Sequence, residues 1–325
     1  MLVWCEYYVR RPSAIARDPY SQGGAADDAP CQISARVSAD QGRTWSGKIT
    51  LQENFGTDNV KHPNLLRLAS GRILFSFTVR DIARKDLTVF LKHSDDDGET
   101  WSKPAALSPP GGVYFTNADH IIQHSSGRII LPAHWGEFYG KGDHYVSLCF
   151  YSDDQGATWK NSTRRMDLPK RGAEEPAVIE LKDGSLLALL RTSLGKIYRA
   201  TSKDRGETWS DPEPAALPSP SSAPCIRRLP ASGDLLFLWN NASPEPGQTH
   251  FPRDPLTSAV SRDEGRTWTN FRNIESRRGY NSAYPSLTFL GDEALITYYH
   301  SSRSQSRDCD LRLKILPNRW FTERA

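Results

Sequence analysis

An octapeptide of the form S-x-D-x-G-x-T-W occurs five times in this chain of 325 residues, each time without a mismatch. Its copies begin at Ser38, Ser94, Ser152, Ser202 and Ser261, so that successive copies lie 50 to 59 residues apart. A period of this length accommodates one four-stranded antiparallel unit with its loops, which is the size of a propeller blade. The repeat therefore predicts a radial array of similar β-units.

The octapeptide has the composition of a turn. Ser and Asp side chains bond nearby backbone N–H groups, and Gly adopts a positive φ at no steric cost. The terminal Trp supplies a large apolar ring for packing between neighbouring units. The pattern lacks the longer series of acidic ligands, ending in Glu, that a calcium loop requires. These segments are therefore interpreted as scaffold.

A second pattern lies between the octapeptides: an apolar strand, a Gly turn and another apolar strand, as in AVIELKDGSLLALL. Each such segment predicts a hairpin, and a third strand leads into the next octapeptide. If the strands of a unit are labelled A to D from the axis outward, the octapeptide lies in the C–D turn.

Six units result from this assignment. The first begins with MLVWCEYYV, interpreted as a B strand, so its A strand is missing; the last runs from Tyr284 to Trp320 and has no octapeptide. We therefore predict an all-β, six-bladed β-propeller whose first blade is incomplete at the N-terminus. It forms a single domain over residues 1–325 with almost no helix.

Composition excludes several other classes of protein. With 41 basic and 38 acidic residues the net charge is +3, which gives no reason to expect a nucleic-acid partner. No apolar run approaches the roughly 18 residues that span a bilayer. The five scattered cysteines show no metal-binding spacing, and we expect no metal and no cofactor. The N-terminus lacks a signal-peptide pattern, so a cytoplasmic location is the default expectation unless the N-terminus is truncated.

Blade topology restricts where a site can lie. In an up-and-down blade the A–B and C–D turns share one face, and the D–A and B–C connections share the other. Because the octapeptides mark the first face as scaffold, reactive side chains are sought at starts of A strands, at ends of B strands and in B–C loops. Five candidates satisfy this condition: Asp28, Glu175, Arg191, Arg253 and Tyr284.

The five octapeptides in a six-unit frame resemble the Asp boxes of the sialidase (neuraminidase) superfamily, specifically its bacterial BNR-repeat members. The resemblance covers essentially the whole chain, but Asp boxes also occur in non-catalytic proteins, so activity must be argued from the site. The context of each candidate also resembles a sialidase catalytic segment. These contexts are AADDAPCQ, EEPAVIEL, LLALLRTS, HFPRDPLT and YNSAYPSL, in chain order.

This resemblance implies an exo-acting, retaining hydrolase that removes terminal sialic acid from glycoconjugates. Since the anomeric carbon carries a carboxylate, the neutral Tyr284 would attack it in place of a carboxylate nucleophile. Glu175 would take the proton of Tyr284, and their oxygens should then lie within about 2.6–3.2 Å. Asp28 would protonate the leaving oxygen and later activate water, while Arg191 and Arg253 would hold the substrate carboxylate.

Some assignments remain open at this stage. Glu174 competes with Glu175, and Asp27 lies beside Asp28. Both arginines could instead form ordinary surface ion pairs. Five further polar residues start inner strands and receive no role: His62, Asn64, Asn117, Asp119 and His120.

One departure from the family concerns its third arginine, which belongs to the A strand missing from the first unit. Arg10 and Arg11 precede Pro12, but they follow the first B strand and do not inherit that role. Two alternative functions therefore stay open: an enzyme on the same scaffold acting on another acidic sugar, such as a uronic acid, and a non-catalytic propeller that binds glycans or proteins. The partner in the first case is a sialylated or other acidic glycan; the oligomeric state is not indicated.

Overall fold

The computed structural model describes residues 1–7, 29–81, 86–137, 143–243, 252–303 and 309–323. Regular structure in these ranges is β-strand, apart from one turn of 3₁₀ helix at Asn318–Phe321. The strands in chain order are β1 (Leu2–Tyr7), β2 (Cys31–Arg36), β3 (Ile49–Gln52), β4 (Asn59–Arg67), β5 (Ile73–Asp81), β6 (Asp86–Ser94), β7 (Ala105–Ala106), β8 (Val113–Thr116), β9 (Ile122–Gln123), β10 (Ile129–Gly136), β11 (Tyr145–Ser152), β12 (Lys160–Asn161), β13 (Ala173–Glu180), β14 (Leu186–Thr192), β15 (Lys196–Ser202), β16 (Glu213–Pro218), β17 (Cys225–Arg228), β18 (Leu235–Asn240), β19 (Leu256–Ser261), β20 (Thr269–Glu275), β21 (Tyr280–Leu290), β22 (Glu293–Ser302) and β23 (Cys309–Pro317).

The strands form antiparallel groups that follow chain order. Two sheets have four strands, β13 to β16 and β17 to β20, and two have three strands, β1 to β3 and β21 to β23. A nine-stranded sheet contains the remaining strands, β4 to β12, and its two antiparallel halves meet at a single parallel pair, Leu87 with Val113. Counted by halves, the described strands therefore make six groups, which we number first to sixth along the chain.

The predicted position of the octapeptides is confirmed, because all five lie between the last two strands of their groups. In the third copy, Asp154 accepts hydrogen bonds from the Thr158 backbone N–H at 2.8 Å and from the Thr158 hydroxyl at 2.5 Å, while the Gly156 N–H donates to Ser152 Oγ at 2.9 Å. In the fourth copy the Trp209 side chain is buried, with 1% exposed. The motif closes a turn and places its Trp against the core.

In the second and third groups the turn between the two inner strands meets the octapeptide on one face, as the topology predicts. Arg72 in the β4–β5 turn bonds Asp95 of the adjacent octapeptide at 2.7 Å, and Arg128 before β10 bonds Asp153 at 2.7 Å. The opposite face is consequently the one that the ends of B strands and the B–C loops approach.

Apolar clusters join each group to the next in chain order. One cluster contains Ile33 of the first group and Phe75 of the second, and another contains Leu238 of the fifth and Ile296 of the sixth. The sixth group also contacts the first: Arg43 forms an ion pair with Glu293 at 2.9 Å. Packing therefore runs through consecutive groups and returns from the last group to the first.

Three details differ from the strand boundaries expected from sequence. β21 begins at Tyr280, so Tyr284 lies inside the strand and does not open it, and Glu175 is likewise the third residue of β13. The innermost strand of the third group is divided into β8 and β9, both paired with β10. The strands β13 and β21 begin before the expected residue, because each contains a β-bulge that a sequence pattern does not reveal. No helix long and apolar enough to cross a membrane occurs in the ranges given above.

Candidate active site

The same backbone irregularity places Glu175 and Tyr284. In β13 the register shifts between Glu174 and Ala177, and Glu175 has φ 42°. In β21 it shifts between Ala283 and Ser286, and Tyr284 has φ 56°. A proline follows each residue and disfavours the right-handed helical region for it. Positive φ in a non-glycine residue is strained and concentrates at functional sites, so both side chains are directed by a bulge and not by ordinary strand alternation.

The two side chains meet although they are 109 positions apart in sequence. The Tyr284 hydroxyl donates to Glu175 Oε1 at 3.0 Å, which lies within the predicted range. Arg191, near the end of β14, donates from Nη1 to Glu175 Oε2 at 2.7 Å and to the Tyr284 hydroxyl at 3.0 Å. One guanidinium nitrogen thus bonds both members of the pair.

Arg253 lies beside this trio. Its guanidinium carbon is 5.4 Å from the centre of the Tyr284 ring. Nε and Nη2 donate to the Ser221 carbonyl at 3.2 and 2.9 Å, while the Ser221 hydroxyl accepts from Arg191 Nε at 2.9 Å. Ser221 therefore holds the two arginines next to each other. The remaining guanidinium nitrogen, Nη1, donates to the Tyr299 hydroxyl at 2.9 Å.

The charge of Arg253 has no carboxylate partner in the part of the chain that the structure describes. Its side chain bonds only neutral oxygens, those of Ser221 and Tyr299, and the residue is 9% exposed. A buried cation without an anion is costly, because the desolvation penalty is not offset by a partner. The arrangement is suited to receiving an anion from outside the protein.

The pKa values of the pair are displaced in opposite directions. Burial acts to raise the pKa of Glu175, but the positive charge of Arg191, with its hydrogen bond, outweighs it and the pKa falls to about 2. Burial, and then the negative charge of Glu175, raise the pKa of Tyr284. In the free site Glu175 is therefore ionised and Tyr284 is neutral, which fits the direction of the hydrogen bond between them.

Glu174, the competing candidate, points to a different environment. It lies 3.3 Å from Arg171 Nε and 3.7 Å from Arg191 Nε, whereas the Tyr284 hydroxyl donates to Glu175. Burial raises its pKa. Glu175 is therefore the partner of Tyr284, and Glu174 lies beside Arg171 and Arg191.

Three neighbours of the site were not identified from sequence. Ser221 belongs to a Ser/Pro-rich loop without a distinguishing pattern, and Tyr299 reads as an ordinary strand residue. His134, whose Nδ1 accepts the backbone N–H of Glu175 at 3.1 Å, is near the end of the B strand β10. The rule that selected ends of B strands could have found His134.

The polar residues left without a role divide into two sets. His62 has φ 59° at a bulge in β4 and lies 5.8 Å from the Phe115 ring centre, on the Glu175 side of the site. The others form contacts between inner strands: Asn64 accepts from the His120 N–H, His120 contacts the Pro176 and Pro224 carbonyls, Asn117 contacts His120, and Asp119 pairs with Arg227. Those four are interpreted as structural.

Asp28, with Asp27, Arg10 and Arg11, lies outside the described residues, so its predicted role stays a prediction. Within the described ranges no group of three or more His, Cys, Asp or Glu side chains is arranged to hold a metal ion.

Comparison with known proteins places this geometry in context. The family model described as "BNR repeat-like domain" matches residues 21–300. A sialidase of Paraclostridium sordellii is 30% identical over an alignment of 247 residues, and the match covers 65% of this chain and 59% of that protein. A sialidase of Clostridium perfringens is 29% identical over an alignment of 217 residues, and the match covers 59% of this chain and 55% of that protein.

Among solved structures, the intramolecular trans-sialidase of Ruminococcus gnavus superposes with a TM-score of 0.70 at 14% identity, covering 91% of this chain and 90% of that one. At this identity the likeness shows the fold alone. The chain spans about three fifths of the length of the first curated relative, 59%.

Proposed function

We propose that this chain, which belongs to the BNR repeat-like domain family and is a sialidase-like protein, is an exo-acting, retaining glycoside hydrolase for a terminal acidic sugar. The first substrate proposed is sialic acid. The observation that carries the proposal is the Tyr284–Glu175 pair beside two buried arginines. The sequence alone predicts all four of these residues as site residues.

The architecture proposed with this function is a ring of six blades. The contact between Arg43 and Glu293, together with the packing of Gly42 against Leu295 and Leu313, supports closure between the sixth group and the first. Closure would bring the inner strands β13 and β21 to one channel mouth, where their side chains can share a substrate.

In the proposed reaction the substrate carboxylate binds Arg191 and Arg253, and among the described residues Arg253 has no carboxylate partner. A planar guanidinium forms two parallel bonds with a carboxylate, so two arginines fix the anomeric carbon next to the Tyr284 hydroxyl. The hydroxyl proton passes to Glu175 as the phenolate oxygen attacks, and the glycosidic oxygen leaves with a proton from Asp28. Asp28 then takes a proton from a water molecule that attacks the anomeric carbon, the bond to Tyr284 breaks as the phenolate recovers its proton from Glu175, and the sugar leaves with net retention.

Substrate binding would also strengthen the base. In the free site Arg191 is the chief influence that lowers the pKa of Glu175 against its burial. A carboxylate that draws Arg191 away weakens this influence, and the pKa of Glu175 rises. Glu175 thus becomes a better proton acceptor when an anionic substrate is present. In the empty site its pKa is lower, so it is a weaker base and Tyr284 keeps its proton.

Two experiments test the proposal. An aryl α-sialoside and an aryl glucuronide are offered in parallel, and the product configuration is followed by NMR. A fluorinated sialosyl fluoride then traps the intermediate, and mass spectrometry locates the label. We expect turnover of the sialoside with retention and a label on Tyr284.

Other outcomes contradict separate parts of the proposal. Turnover of the glucuronide alone would replace sialic acid by a uronic acid. An anhydro-sugar product, such as an intramolecular trans-sialidase forms, would replace hydrolysis by internal transfer. A label on another residue would reject Tyr284 as the nucleophile, and no turnover of either glycoside, in this chain or in one extended at its N-terminus, would favour a glycan- or protein-binding propeller.

A further inference from the structure

We propose that Tyr299 is a positioning residue that keeps Arg253 in place without neutralising it, and thereby makes the site selective for a carboxylate. This inference rests on the proposed function and adds a residue that determines its specificity. It starts from the hydrogen bond that Arg253 donates from Nη1 to the Tyr299 hydroxyl at 2.9 Å.

Tyr299 lies on β22 opposite Ala283 of β21, next to the bulge that contains Tyr284. The Tyr284 and Tyr299 rings are 5.7 Å apart between centres and tilted by 35°. Arg253 lies over the Tyr284 ring and bonds the Tyr299 hydroxyl, so the two phenols and the Ser221 carbonyl enclose one guanidinium. Tyr299 is half-buried, and its ring packs against the Tyr284 ring.

A phenol fixes an arginine differently from a carboxylate. Its oxygen accepts a hydrogen bond, but at neutral pH it carries no charge that would satisfy the cation. The contrast lies within the same site, since Arg191 is paired with Glu175 at 2.7 Å. A hydroxyl that accepts from Arg253 also retains its own proton, which it can donate to a ligand oxygen. Tyr299 thus leaves the positive charge of Arg253 available to attract an anionic ligand. Its hydroxyl adds a hydrogen-bond donor next to the guanidinium.

The test compares two substitutions with a matched control. Tyr299→Phe keeps the ring and deletes the acceptor, whereas Tyr299→Glu keeps an acceptor and supplies a charge that neutralises Arg253. Tyr298→Phe is the control, because Tyr298 is its chain neighbour but donates to Glu275 at 2.7 Å, away from Arg253. Calorimetry measures binding of the 2,3-unsaturated analogue of sialic acid and of its uncharged carboxamide, and the melting temperature of each variant reports folding.

For Tyr299→Phe we expect about tenfold weaker binding of the acid, since a hydrogen bond to a charged group is lost, and an unchanged affinity for the amide. For Tyr299→Glu the loss for the acid should be about a hundredfold or more, because the charge of Arg253 is cancelled. The control should bind both ligands as the wild type does. With a sialoside substrate, Tyr299→Phe should raise KM and leave kcat nearly unchanged.

Two results would overturn the inference while the proposed function stands: equal affinity of wild type and both Tyr299 variants for the acid, or an equal loss for acid and amide, which indicates a purely structural role. Failure of the wild type to bind the acid at all would instead reject the proposed function and this inference together.

Discussion

The hydroxyl of Tyr284 carries its proposed chemical role, whereas its ring contributes to packing. Its ring is enclosed by Arg253 and Tyr299, while its hydroxyl donates to Glu175. Tyr284→Phe keeps the ring and removes only the attacking atom. We expect a nearly unchanged melting temperature and a loss of kcat of about a thousandfold, which corresponds to about 4 kcal/mol of barrier.

Steady-state kinetics with an aryl sialoside and a binding titration with the unsaturated analogue check this prediction. Binding should survive, because Arg191 and Arg253 still hold the carboxylate. Wild-type turnover in Tyr284→Phe would mean that another residue attacks.

His134 gives a pH dependence of stability. Burial lowers the pKa of His134 to about 3, and its Nδ1 accepts the N–H of Glu175. The unfolded chain binds a proton at this histidine below about pH 6.5, whereas the folded protein does so only near pH 3. Stability is therefore lost as the pH falls from about 6.5 towards 3.

Between pH 6 and 5 this histidine should contribute up to about 1.4 kcal/mol of unfolding free energy per pH unit. His134→Gln retains an acceptor for the Glu175 N–H and does not titrate, so its urea-denaturation free energy should fall less steeply over the same interval. Parallel pH profiles of the two proteins would show that His134 is not protonated differently in the two states.

At the scale of elements, the start of β13 depends on a glycine that no side chain could replace. Gly172 has φ 85°, and a Cβ there would lie 1.9 Å from the Tyr145 carbonyl oxygen. Gly172→Ala must push β11 and β13 apart two residues before Glu174. Gly184→Ala is the matched control, because Gly184 has φ 79° but nothing within 4 Å of an added Cβ.

Both substitutions incur the strain of a positive φ, but only the first adds a clash. We expect Gly172→Ala to lower the melting temperature more than Gly184→Ala and, in the folded fraction, to reduce sialoside turnover, since Glu175 is displaced. Equal melting temperatures and equal turnover for the two variants would show that the β11–β13 contact tolerates the added atom.

The octapeptide tryptophans differ in burial, and their contributions should differ accordingly. Trp209 is almost fully buried in the core shared by the third and fourth groups, whereas Trp159 is half-buried at the edge of another cluster. Trp209→Ala should cost about 3–5 kcal/mol of unfolding free energy, and Trp159→Ala should cost less. Chemical denaturation measures both, and the reverse order would contradict the packing interpretation.

For the whole molecule, the chain end contributes to a core that lies between two groups. Phe321 is fully buried in the cluster formed by the fifth and sixth groups, and the Asn270 side chain donates to its carbonyl. Since successive cores share strands, the loss of packing at Phe321 should be transmitted to the neighbouring groups. Phe321→Ala should cost about 3–5 kcal/mol and still unfold in one transition by circular dichroism and tryptophan fluorescence. Two separated transitions would show that the groups unfold independently.

The all-β class and the position of the octapeptides were determined by sequence alone, because turn chemistry is local: Thr158 bonds Asp154 and Gly156 bonds Ser152, each within five residues. The candidates Glu175, Arg191, Arg253 and Tyr284 were also selected from sequence, since strand topology assigns B-strand ends to one face.

Only the tertiary structure decided how these residues meet. The bulges that set φ of Glu175 and Tyr284 depend on pairing with β14 and β22, so no local pattern reveals them. The choice of Glu175 over Glu174, the bridge through Ser221 and the contact of Arg253 with Tyr299 join residues from the fourth, fifth and sixth groups and their loops. A sequence fixes what each side chain can donate or accept, but packing between distant strands fixes which partner it finds.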